Sequence, residues 1–283
     1  MKLRLFQIYI MTIFVFIACA KPNQKYDYKL IFDNMQSEFV EMRYDGKFRS
    51  DTLFSKKLDS LYKKSEQLKL TSLQDSILNI QIEWDLLQGN LEAAKRKIPN
   101  TKINSPNSPD YKWIRAYYNA AIKEYETAIK DIESIFQSDS LNDILYAKSY
   151  WLMASIQESQ KSDSLAMQYY DLATQNLPKE NYADYYVEAI VHLGNLYYTN
   201  KGELEKATEL YTQGLKIAKD HQINRLIPAC YYHLGKVKEK EGNLEQARIL
   251  FEEGLVYASK LPKKGNFMLT LLNNKIQSIQ SKK

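Results

Sequence analysis

One hydrophobic period dominates this chain. In residues 231–251, Tyr231, Leu234, Gly235 and Val237 recur at intervals of one to three before a Gly242-Asn243 turn. Leu244, Ala247, Leu250 and Phe251 follow the same spacing after it. This is the 3.6-residue period of a helix, not the alternation of a strand. Each such stretch predicts two helices joined by a tight turn. The unit recurs. IEWDLLQGNLEAAKRKI (82–98), AYYNAAIKEYETAIKDI (116–132), ASIQESQKSDSLAMQYY (154–170) and GKVKEKEGNLEQARILF (235–251) align directly, and GNLYYTNKGELEKATELY (194–211) aligns with one extra residue in its turn. The second-helix alanines Ala94, Ala128, Ala166, Ala207 and Ala247 are spaced by 34, 38, 41 and 40 residues. Repetition at this period marks a stack of helical hairpins.

The details of each unit fit close helix packing. Gly89, Gly202 and Gly242 punctuate turns where a left-handed residue suits glycine. Small residues at Gly194, Gly235, Ala207 and Ala247 allow antiparallel helices to approach. Four residues after the alanines, Tyr170, Tyr211 and Phe251 supply bulk beside them. Pro109 and Pro228 fall at the start of a unit, where proline suits a helix's first turn. The combination resembles the tetratricopeptide repeat: Trp151, Met153-Ala154, Ala166, Tyr170, Ala173 and Pro178 in one unit, Leu193-Gly194, Tyr197, Ala207, Tyr211 and Gly214 in the next, and Tyr231, Leu234-Gly235, Ala247, Phe251 and Gly254 in the last. The resemblance implies an all-α, right-handed α-solenoid of about five to six helix-turn-helix units. The array is expected over residues 76–262, after a degenerate helical repeat at 27–75, with a capping helix in 263–283 that covers the apolar end of the stack. TKINSPNSPD (101–110) is the most loop-like internal stretch.

The first residues have a different character. MKLR carries two charges, and residues 5–18 are apolar except Gln7 and Thr12. Fourteen residues at ~1.5 Å each reach only ~21 Å, short of the ~30 Å hydrocarbon core. The pattern is that of a secretory signal. Phe16-Ile17-Ala18-Cys19 is similar to a bacterial lipobox, with Phe16 where Leu is usual. That resemblance implies a signal peptide over 1–18, acylation of Cys19 and a short tether over 19–26; the alternative is an ordinary secretory signal. Two or more acyl chains anchor stably at ~0.8 kcal/mol per buried methylene. Ala20, in place of the aspartate that often retains lipoproteins at an inner membrane, favours an outer membrane, so the expected address is the cell envelope, facing the periplasm.

Composition narrows the function. The 283 residues are 45% hydrophobic and 26% charged, too apolar for a disordered chain. The net charge is +5, and Lys2 and Arg4 lie in the leader, which leaves about +3 and weak grounds for a nucleic-acid partner. Two cysteines give no disulfide framework. The three histidines, His192, His221 and His233, stand in no metal-ligand motif, and no glycine-rich phosphate loop occurs. His192 and His233 share a repeat position. Cys230 begins the apolar face of a helix and reads as a packing residue. No catalytic residue, metal or cofactor is expected, and no small-molecule substrate.

What remains is surface. By the resemblance, the first helices of the units line a groove that would hold Trp113, Tyr117, Trp151, Ser155, Glu158, Val191, Asn195, Tyr198, Tyr232, Lys236 and Lys240. Aromatics concentrate binding energy, but the same rings can simply pack between units. Asn195 matches one position of the family's carboxylate clamp. Val191, Ala229 and His233 stand where Lys, Lys and Asn are wanted, so that specificity is not expected. The leading expectation is a non-enzymatic, membrane-anchored interaction adaptor or scaffold for envelope proteins. The second is a peptide sensor acting on a signalling partner. Solenoid sensors are often fused to a membrane helix, kinase or DNA-binding domain, and none is legible in residues 27–283.

Overall fold

The structure is a computed structural model that describes residues 28–46, 52–99, 108–138, 143–177, 182–263 and 266–281. Cys19, Pro178 and residues 101–107 lie outside them. By contact density the chain divides into two units, residues 1–35 and 36–283. In the first, residues 28–35 are helical. The second is all-helical among its described residues and forms the α-solenoid.

The helices are α1 (Tyr28–Asp45), α2 (Leu53–Gln67), α3 (Thr71–Leu87), α4 (Leu91–Lys97), α5 (Pro109–Ala121), α6 (Tyr125–Phe136), α7 (Asp143–Ser159), α8 (Asp163–Asn176), α9 (Ala183–Leu196), α10 (Leu204–Asp220), α11 (Ile227–Lys240), α12 (Leu244–Ala258) and α13 (Phe267–Gln280). Five hairpins stack in order: α3/α4, α5/α6, α7/α8, α9/α10 and α11/α12. The first helices α3, α5, α7, α9 and α11 each touch the next, and α13 continues the row. The first helices therefore form a continuous row along the solenoid.

The alanines set the hairpin spacing. Ala94, Ala128, Ala166, Ala207 and Ala247 are all fully buried. Beside them Tyr170, Tyr211 and Phe251 are also fully buried. Each turn contains one left-handed residue: Gly89, Lys123, Lys161, Gly202 and Gly242, with φ between +61° and +80°. A backbone N–H then reaches back five residues to close the helix end, as from Asn90 to Asp85 and from Asn243 to Lys238. The extra residue in the 194–211 unit is absorbed by a π-helical turn over Tyr197–Lys201, and the closing bond there runs from Glu203 to Tyr197, one residue longer. Pro109 sits in the first turn of α5 and Pro228 in that of α11. The cap is α13, which buries Met268, Leu272, Ile276 and Ile279 against Ala247, Phe251 and Ala258. Among the described residues no helix is long and apolar enough to cross a membrane.

Candidate functional site

The face made by the first helices has two parts. The N-terminal part is closed by the protein's own side chains. Trp113 and Tyr117 of α5 stand 5.3 Å apart ring to ring, Tyr117 is 6.2 Å from Trp151 of α7, and Trp151 meets Tyr185 of α9 edge-on at 4.9 Å. Trp113 is buried and Trp151 half-buried. Lys148 Nζ lies 3.7 Å over the Trp113 ring, and the Arg43 guanidinium lies 4.5 Å over Tyr185. This ladder of rings packs unit on unit and carries a lid of buried cations.

Those cations are paired. Arg43, at the end of α1, donates from Nε to Asp184 Oδ2 at 3.0 Å and from Nη2 to the same oxygen, and from Nη1 to Glu83 Oε1 at 3.3 Å. Tyr185 Oη donates to Glu83 at 3.0 Å, and Lys148 Nζ is 3.7 Å from Glu83 Oε2. Arg225 donates to Asp184 Oδ2 at 3.1 Å and to Glu188 Oε1 at 2.6 Å. Burial pushes the Asp184 carboxyl up, but Arg43 and Arg225 outweigh it and hold the group below its ordinary value. Burial lowers Lys148, and Glu83 opposes that shift without cancelling it. Charges this deeply buried persist only when paired.

Further along the row the face opens into a cleft of about 450 Å³ among α9, α11 and α13. Val191, His192 and Asn195 come from α9, Ala229, Tyr232 and His233 from α11, and Met268 and Leu271 from α13, while Leu226 and Pro262 line it from the segments just before α11 and α13. Phe267 on its rim is 60% exposed, a large apolar side chain left in solvent. Tyr211 Oη donates to Asn195 Oδ1 at 2.7 Å. That bond fixes the amide and turns its NH2 away from Tyr211. All four clamp-equivalent positions, 191, 195, 229 and 233, therefore meet in this cleft. Val191 and Ala229 make the walls apolar where lysines would have made them cationic.

The two cleft histidines share a repeat position and differ in chemistry. His192 stacks on Tyr170 at 5.4 Å, and His233 on Tyr211 at 5.1 Å. His192 Nδ1 is 2.9 Å from Glu158 Oε2, which also accepts from Tyr170 Oη at 2.7 Å. Burial pulls His192 down, but Glu158 lifts it above its ordinary value. Among the described residues no carboxylate offsets burial at His233; burial, with Lys236 and His192 nearby, pushes it down to about 3.

Cations stand over the Tyr198 and Tyr232 rings, of which Tyr232 lines the cleft. Lys236 Nζ lies 4.7 Å from the Tyr198 ring and 5.8 Å from the Tyr232 ring, and Lys240 Nζ lies 4.5 Å from Tyr198. Lys275 of α13 is held by Glu239 at 2.5 Å. Burial lowers Lys236, and Lys275 and Lys240 add to the shift. An anion beside it would relieve that crowding. Of the expected groove residues, Asn195 and Tyr232 line the cleft, Lys236 stands beside Tyr232, Tyr198 and Lys240 lie next to each other outside the lining, and Trp113, Tyr117 and Trp151 belong to the ring ladder. Sequence reasoning missed Arg43, Glu83, Asp184 and Arg225; Arg43 and Asp184 are 141 positions apart, and no local pattern pairs them. Cys230 is fully buried, and burial pushes its thiol up to about 12, so it is a packing residue.

Residues 187–221 and 228–258 match the tetratricopeptide repeat family. These segments hold most of α9/α10 and α11/α12, the two repeats that build most of the cleft. No catalytic family is among the matches. No curated protein matches the sequence. Among solved structures, the apo form of RapI is similar over 89% of this chain and 71% of its own, at 14% identity and a TM-score of 0.64. A Rap protein complexed with competence and sporulation factor is similar over 88% and 75%, at 14% identity and 0.56. PilF of Pseudomonas aeruginosa is similar over 75% and 99%, at 18% identity and 0.53. At these identities the likeness is one of fold: stacked tetratricopeptide repeats.

Proposed function

We propose that this chain is a non-enzymatic adaptor that binds an extended segment of a partner protein in the cleft among α9, α11 and α13. The observation that carries the reading is the make-up of the four clamp-equivalent positions. Val191 and Ala229 give apolar walls, Asn195 offers a fixed amide, and His233 is held neutral. Such a cleft takes an apolar side chain, with Asn195 donating to the peptide backbone and Lys236 and Lys240 favouring an acidic neighbour. Peptides selected by display on the immobilised protein test this. The expected winners carry one large apolar residue flanked by carboxylates and lose binding to an Ala229→Trp variant that fills the cleft. Winners that bind that variant unchanged would place recognition elsewhere.

The anchor belongs to the same proposal. Acylated Cys19 would hold the adaptor at a membrane of the cell envelope, with the repeats presented to envelope proteins. Cys19→Ala should abolish incorporation of a fatty-acid analogue, and unchanged labelling would overturn the lipoprotein reading. The second reading, a peptide sensor, uses the same cleft, and a Rap protein complexed with competence and sporulation factor shares the fold. A selected peptide that alters the capture of a second protein would favour the sensor.

A further inference from the structure

The end of α1 forms part of the cleft wall. Gly46 lines it, and a Cβ there would stand 3.4 Å from Arg225 Cβ. The Arg225 backbone N–H donates to the Tyr44 carbonyl at 3.0 Å, and Asn224 Nδ2 donates to Asp45 Oδ1 at 2.8 Å. The Arg225 side chain then divides. One arm reaches Glu188, which also lines the cleft, and the other reaches Asp184 Oδ2, the oxygen that Arg43 holds.

One buried carboxylate oxygen therefore joins an arginine of α1 to an arginine of the cleft. Without Arg43, Asp184 is left to Arg225 alone. The guanidinium is then drawn inward from Glu188, because a buried charge takes whatever partner remains, and the wall at Gly46 is left to the Arg225–Tyr44 backbone bond and the Asn224–Asp45 bond, which move with Arg225.

We propose that Arg43 is a positioning residue for the cleft, and that docking of residues 36–46 and occupancy of the cleft are thermodynamically linked. The inference rests on reading the cleft as a binding site. Linkage is reciprocal: whatever binds against the wall made by Arg225 and Gly46 must also hold the end of α1 in place. Lys57, 2.6 Å from Glu38, ties α1 to α2 without touching the cleft, and Phe39 packs at 6.0 Å on Phe54. The linkage thus runs through Arg43 and residues 44–46, not through the whole helix.

The test uses the full chain and N-acetyl-tryptophan, which joins an apolar ring to a carboxylate, with affinity read by isothermal titration. Wild type should bind it and A229W should not. R43M should bind about fivefold more weakly or worse, and R43K, which keeps the charge and loses the two-pronged geometry, should fall between. R115M removes an arginine of similar pairing, held by Asp131 at 2.7 Å, and should bind as wild type. The second measurement needs no variant: saturating probe should slow amide hydrogen exchange in residues 36–46 of wild type. R43M binding equal to R115M, or exchange in 36–46 that ignores the probe, overturns the linkage and leaves the cleft reading standing. Equal binding by wild type and A229W, or no binding by either, overturns the cleft reading and the linkage with it.

Discussion

Gly235 of α11 faces the ring of Phe251 of α12 so closely that a Cβ would overlap it. Gly194 stands in the same relation to Tyr211 one repeat earlier, where a Cβ would lie 2.6 Å from the ring. Both rings are fully buried and have no room to yield. Alanine gains about 0.5–1 kcal/mol over glycine inside a helix. Overpacking a filled core costs about 1–3 kcal/mol. The cost wins, so Gly235→Ala and Gly194→Ala should each lower the melting temperature by several degrees. A melting temperature at or above wild type would mean that the rings can shift and the hairpin spacing is not fixed there.

The repeat turns allow the opposite experiment. Lys161 holds φ +61°, the conformation that Gly242 holds at +80°. A left-handed conformation costs a non-glycine residue about 1–2 kcal/mol, and glycine's extra backbone freedom returns only part of that. Lys161→Gly should therefore leave stability unchanged or raise it by up to about 1 kcal/mol, while Gly242→Ala should lower it by about 1 kcal/mol. Denaturant midpoints measure both, and a clear loss in Lys161→Gly would show that the lysine side chain stabilises the turn.

These residues show what the sequence made legible. The hairpins were readable because glycine, alanine and aromatic residues recur in phase, and each is required by a local close approach. The turns at Lys123 and Lys161 adopt the glycine conformation with no glycine to announce it, so only alignment with neighbouring units located them. The aromatic first-helix residues were readable as a strip. Which of them would pack and which would line an open cleft depends on Arg43 and Lys148 covering the Trp113–Tyr185 ladder. That is a long-range relationship, and helical periodicity carries no trace of it.

His192 and His233 give a pH prediction with opposite signs. His192, lifted above its ordinary 6.5 by Glu158, contributes stability that is fully present below 6.5 and lost as the pH rises through its folded value. His233, lowered to about 3, contributes stability present above 6.5 and lost as the pH falls from there through about 3. Ring-proton chemical shifts should show His192 titrating above 6.5 and His233 still neutral at about pH 5. Glu158→Gln should bring the His192 midpoint down, with His233 still neutral at about pH 5 because burial remains the main cause of its shift. A His192 midpoint unchanged in that variant would remove the carboxylate as its cause.

The division of the first-helix face yields the last prediction. Trp151 stands between Tyr117 and Tyr185, so truncating it empties a packed site. Trp151→Ala should cost on the order of 3 kcal/mol of stability. Once the variant is folded, its affinity for a cleft-selected peptide should match wild type. Tyr232 lines the cleft and packs at 5.9 Å on Phe251. Tyr232→Ala should lose about 1 kcal/mol or more of binding free energy, with a smaller fall in stability. Reversing Lys236 and Lys240 together should slow association, and the difference from wild type should shrink as salt rises, because rim charges act through a screened field. Kinetic binding measurements beside thermal melts separate the three. If Trp151→Ala loses affinity at full stability while Tyr232→Ala binds normally, the partner contacts the ring ladder, and Arg43 and Lys148 do not close that part of the face.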